Sequence, residues 1–95
     1  MAGVSRTVVS VKPGEIEALR ELGSSKSNLL SELDGIIGFG WAITGENEMT
    51  IFGVFDDVES AEAATSVTSE VFAEMASRLA AKPEREVFDG DWFSK

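Results

Sequence analysis

Ile37-Gly-Phe-Gly-Trp-Ala-Ile-Thr-Gly-Glu-Asn-Glu-Met-Thr-Ile-Phe-Gly-Val-Phe55 is the stretch on which the fold turns. From Ile37 the apolar period is two. Ile37, Phe39, Trp41 and Ile43 share one face of an extended segment, and Gly38, Gly40, Ala42 and Thr44 share the other. Gly45-Glu-Asn-Glu48 is a polar connection of hairpin length, and Met49 to Phe55 is the returning strand. Met49, Ile51 and Phe55 occupy one face of that strand while Phe52 and Val54 occupy the other. Both faces are therefore apolar, and both need cover.

Upstream, the β-branched run Arg6-Thr-Val-Val-Ser-Val-Lys12 reads as a strand closed by Pro13-Gly14. The stripe Ile16, Leu19, Leu22, Leu29, Leu30, Leu33 then has helical spacing, interrupted by the poor helix formers Gly23-Ser24-Ser25. This predicts one helix with a weak middle or two short ones, ended at Asp34-Gly35 by a residue that takes positive φ readily. Downstream, Asp56-Asp57-Val-Glu-Ser60 offers N-cap residues for a longer helix. Its stripe of Ala61, Ala64, Val67, Val71, Met75 and Leu79, widened by Phe72, runs to the stop at Lys82-Pro83. Arg85 to Phe93 alternates loosely as a last strand, with Gly90 marking a bend.

The order β-α-β-β-α-β predicts a single α+β domain over residues 1–95, ferredoxin-like, with a four-stranded antiparallel sheet and both helices on one face. The other face has no cover from its own chain. A large apolar side chain is worth roughly 1.5 to 3 kcal/mol when buried. Leaving several of Ile37, Phe39, Trp41, Ile43, Phe52, Val54, Phe88 and Trp92 in water is costly, and a face-to-face homodimer covers them.

Composition narrows the function classes. The 95 residues carry 17 acidic against 8 basic side chains, a net charge of −9. Such a surface repels nucleic-acid phosphates and anionic membranes, so neither is a partner. No stretch approaches the roughly 18 apolar residues of a membrane span, nor is there a secretory h-region, and the expected location is cytoplasmic. The chain has no Cys, His or Tyr. That removes thiol nucleophiles, the Ser-His-Asp triad and the commonest metal and haem ligands, and the expectation is a protein without metal or cofactor.

Few residues remain as site candidates. Trp41 and Trp92 offer indole N–H donors for a pocket, against a role as core or interface aromatics. Asn47 could orient a carbonyl, against service as a turn former. Phe72, on the second helix, is the further pocket candidate. Asp89 and Asp91 make a thin carboxylate pair. Arg6, Arg20 and Arg85 are carboxylate partners, or one of them reaches a pocket to bind an anion; spacing selects none of them.

The stretch Gly35-Ile-Ile-Gly-Phe39, the hairpin through Glu48-Met-Thr-Ile-Phe-Gly-Val-Phe55, and Asp57-Val-Glu-Ser-Ala-Glu-Ala-Ala64 resemble the dimeric α/β barrel superfamily, within it the antibiotic biosynthesis monooxygenase-like proteins. The resemblance implies a homodimer with a pocket in each subunit between helices and sheet. It also implies cofactor-independent oxidation of a flat aromatic or polyketide-like molecule whose own anion reacts with oxygen. The alternative is a noncatalytic homodimer that binds a small apolar ligand or serves as a structural partner.

Overall fold

The computed structural model describes residues 2–95. Four strands, β1 (Ala2–Ser10), β2 (Ile36–Gly45), β3 (Glu48–Phe55) and β4 (Glu84–Gly90), form one antiparallel sheet in the order β2-β3-β1-β4. That is the ferredoxin-like arrangement predicted from the order of elements. The first helical segment divides into α1 (Ile16–Ser25) and α2 (Ser27–Ser31), and the second into α3 (Val58–Ala63) and α4 (Thr65–Met75).

Local chemistry explains these breaks. At the first, Ser25 Oγ donates to the Leu22 carbonyl at 2.6 Å and Ser27 Oγ to that of Ser24 at 2.9 Å, bonds that compete with the helical ladder. Lys26 at the junction reaches Glu74 of α4 at 2.8 Å. Gly35, with φ +74°, then turns the chain into β2. The second helical segment starts as predicted, with the Ser60 N–H donating to the N-cap carboxylate Asp57 Oδ1 at 2.7 Å. It ends earlier than predicted. A single 3₁₀ turn, Ala76–Arg78, follows α4, and Leu79 then bridges to Val11, before Pro83 is reached.

Between helices and sheet lies the core of Val9, Val11, Leu19, Met49, Val71, Met75 and Leu79, extended at the other end by Phe55, Ala61 and Ala64. At Gly3 the backbone of β1 passes close beneath the start of α3. A Cβ there would meet the Asp57 carbonyl oxygen, its carbon at 2.6 Å and Val58 Cα at 2.8 Å, so a side chain would drive α3 off the sheet.

Register assigns each side chain to a face. On the open side, one row across the sheet is Gly38, Val54, Val4, Phe88; the next is Gly40, Phe52, Arg6, Glu86; then Ala42, Thr50, Val8, Glu84. Phe52 lies over Gly40, where a Cβ would stand 3.1 Å from the ring tip. Phe52 is 45% exposed and Phe88 42%. Arg6 sits 5.3 Å above the Phe88 ring and pairs with Glu86 at 2.7 Å.

Two assignments of the alternation are corrected here. Phe39, Trp41 and Ile43 face the helices, whereas the alternation had grouped them with the uncovered residues. A bulge between Ile36 and Gly38 puts Ile36 on that side and leaves Ile37 displaced. Regular pairing of β4 stops at Gly90, so Trp92 and Phe93 lie beyond the sheet. β1, conversely, starts at Ala2, four residues before the predicted strand.

Candidate functional site

The helix side of the sheet carries its own rows. One runs Phe39, Gly53, Ser5, Val87, and the next Trp41, Ile51, Thr7, Arg85. The second row grades from an aromatic at one edge, through an aliphatic and a hydroxyl, to a cation at the other. Strands are about 4.8 Å apart, so the row spans roughly 14 Å between its end Cα positions. A cavity of about 70 Å³ lies over it, roofed by Leu30 of α2, Leu33 in the turn that follows, and Thr68, Val71 and Phe72 of α4. Trp41 enters because α1 leaves room for it: a Cβ on Gly23 would lie 2.9 Å from the Trp41 ring. The glycine that weakens the helix in sequence is thus the seat of the indole. Ser5 and Thr7, both buried, form the polar part of the floor.

A second, larger hollow of about 410 Å³ lies between α4 and the approach to β4, bordered by Thr65, Ser69, Ala76 and Lys82. Thr68, Phe72 and Arg85 border both spaces. A cavity near 150 Å³ is what holds a benzene ring, so the inner space alone is too small for an aromatic ligand. Phe72 stands between it and the outer groove. The groove's own volume is in the range of a few hundred cubic ångströms typical of small-molecule sites.

Arg85 is the charged side chain common to both spaces. Among the described residues, Arg6 pairs with Glu86, Arg20 with Glu17 and Arg78 with Glu15, while no carboxylate lies within ion-pair distance of Arg85. Its Nη1 donates to Thr65 Oγ1 at 2.7 Å and its Nη2 to the Ala61 carbonyl at 2.8 Å. Burial pulls its pKa below the usual guanidinium value. None of the 17 acidic residues lines either space. The site is thus a locally positive, carboxylate-free pocket in a strongly acidic chain.

Of the candidates named from sequence, Trp41 and Phe72 come together at the inner cavity, and Trp92 and Asn47 lie outside both spaces. Asn47 sits in the β2–β3 turn, where its carbonyl accepts from the Val11 N–H at 2.8 Å. Trp92 is 43% exposed beyond β4. Asp89 is exposed near the end of β4 and Asp91 lies outside it, so one regular strand does not hold both. Among the described residues no group of His, Cys, Asp or Glu is placed to hold a metal ion, and no helix is long and apolar enough to cross a membrane. The residue that spacing could not single out is Arg85. Its strand position carried a signal, because flanking Glu84 and Glu86 must point to the opposite face.

The chain has the ferredoxin-like α+β fold that solved structures named as antibiotic biosynthesis monooxygenases also have. Solved structures with this fold include NE2512, a protein of unknown function from Nitrosomonas europaea, with TM-score 0.80, 18% identity, and coverage of 99% of this chain and 96% of that one. A candidate antibiotic biosynthesis monooxygenase from the same organism has TM-score 0.79 and 15% identity over 94% of this chain and 89% of its own. An Asn-to-Ala mutant of SnoaB, a cofactor-independent oxygenase from Streptomyces nogalater, has TM-score 0.75 and 9% identity over 97% and 95%. No family model and no curated protein matches the sequence. Identities this low carry the fold and leave the chemistry to be argued from the site.

Proposed function

We propose that this protein takes a flat aromatic molecule into the pocket between Trp41, Phe72 and the sheet, and oxidises it with molecular oxygen without a cofactor. The observation that carries the reading is the pocket itself. It is apolar, bordered by Phe72, and set where a ring would lie against Trp41. Its lining holds no carboxylate, and the chain has no His, Cys or Tyr, so the protein supplies no conventional general base there. Chemistry in such a site rests on a substrate whose own anion gives electrons to oxygen, with the protein binding, orienting and excluding water.

Anthrone is a suitable probe: its methylene carbon becomes a carbonyl, one atom of O₂ enters the product, and the other leaves as water. Oxygen uptake should rise above the spontaneous rate, with one O₂ consumed per anthrone. Blocking the seat with Gly23→Leu should bring it back to the spontaneous rate. Equal uptake with and without protein counts against catalysis.

A noncatalytic homodimer, binding a small apolar ligand or serving as a structural partner, is the second reading; the same absence of tuned acids and bases favours it, and the inner volume of about 70 Å³ favours the structural form. In both readings the protein is a homodimer joined through the open sheet face, supported by the half-exposed rings of Phe52 and Phe88 at its centre and edge. Arg6, neutralised by Glu86, lies between the two rings, and Thr44 with Glu48 at the hairpin end of the face suits the rim of an interface.

A further inference from the structure

The row Trp41, Ile51, Thr7, Arg85 is polarised, and that polarity specifies a ligand more narrowly than a flat apolar ring. We infer that the ligand is an aromatic acid, its ring held toward Trp41 and its anionic oxygen group bound by Arg85 where the inner cavity meets the α4–β4 groove. The inference rests on the pocket assigned above and adds the charge and orientation of what fills it.

Four observations converge on Arg85. It is half-buried without a carboxylate partner among the described residues, although 17 acidic residues are available in the chain. Its immediate neighbours Glu84 and Glu86 project to the open face, where Glu86 is taken by Arg6. Two of its five N–H donors are committed, to Thr65 and to Ala61, which fixes the guanidinium plane and leaves donors over for a ligand. Finally, it borders both the inner cavity and the groove, where Lys82 adds a second positive charge and Ser69 a hydroxyl. A guanidinium held this way matches a carboxylate in two parallel hydrogen bonds. A neutral molecule of the same shape would leave those donors without a charged acceptor.

Calorimetric titration with 2-naphthoate and with 2-naphthamide tests this directly, since the two share ring and shape and differ in charge. The wild-type protein should bind the acid roughly 10- to 100-fold more tightly than the amide, a preference that weakens with added salt. Arg85→Met keeps the aliphatic stem; it should erase that preference by weakening the acid far more than the amide, with an unchanged circular dichroism spectrum showing that the protein is still folded. Equal affinities for acid and amide in the wild type would overturn the anionic subsite and leave the aromatic pocket standing. Binding of neither at millimolar concentration would overturn both. The wild-type comparison needs no variant, so a poorly folding Arg85→Met does not remove the test.

Discussion

At the scale of single residues, the side chains with identifiable tasks are few. Asp57 caps α3: the Ser60 backbone N–H, and then the Ser60 side chain, hold its carboxyl below the usual carboxylate range. A lowered folded-state value means that the cap's contribution is complete above the ordinary carboxylate pKa and fades as pH falls through the folded value. Asp57→Ala should therefore melt below wild type at neutral pH in circular dichroism scans, and the gap should narrow on acidification past that range. A gap independent of pH would show that the charge plays no part. Asp57 was legible in sequence, since an Asp before a first turn with Glu59 is a start signal. Arg85 was not selected there, because its importance comes from the absence of a partner, and pairing is decided by which face each side chain occupies.

At the scale of elements, alternation and stripe placed strands and helices in the right order; the Gly23-Ser24-Ser25 interruption left open one weak-middled helix or two short ones, and the chain forms two, divided at Lys26. What alternation could not supply was the side to which each face points. β3 is apolar on both sides, so its pattern lets the bulky face of β2 point either way, and only the bulge at Ile36–Gly38 and the pairing of Trp41 with Ile51 settle it. The β1 boundary was missed because Ala2, Gly3 and Ser5 have low strand propensity; they are held by pairing to β3 and β4 and not by their own preference. Gly3 is there for clearance beneath α3. A Cβ would meet backbone atoms that cannot swing aside, and overpacking of that kind costs about 2 kcal/mol or more. Gly3→Ala should lower the urea midpoint correspondingly; an unchanged midpoint would mean that α3 shifts freely on the sheet.

At the scale of the whole molecule, the sheet has two faces with different tasks. The helix face holds the core and the cavity beside Trp41, and the open face holds Phe52, Val54, Val4 and Phe88 in a patch that needs cover. The sequence pattern makes the sheet apolar on both sides, and the structure puts the exposed apolar patch and the cavity on opposite faces of it. A patch of this kind on a small domain marks an association surface. Sedimentation of the wild type at micromolar concentration should give a dimer, and Val54→Glu with Phe88→Glu should give a folded monomer; a monomeric wild type would remove the dimer from the account. The pocket lies on the far side of the sheet, so the monomeric variant should keep its ligand affinity.

Trp41 in that pocket is the central claim, and the two indole N–H signals in a ¹H–¹⁵N correlation spectrum report on it with an internal control. In a titration with anthrone kept anaerobic to prevent turnover, the Trp41 signal should move saturably while that of Trp92 stays in place. A stationary Trp41 signal, or movement of Trp92 alone, would contradict the assignment of the pocket.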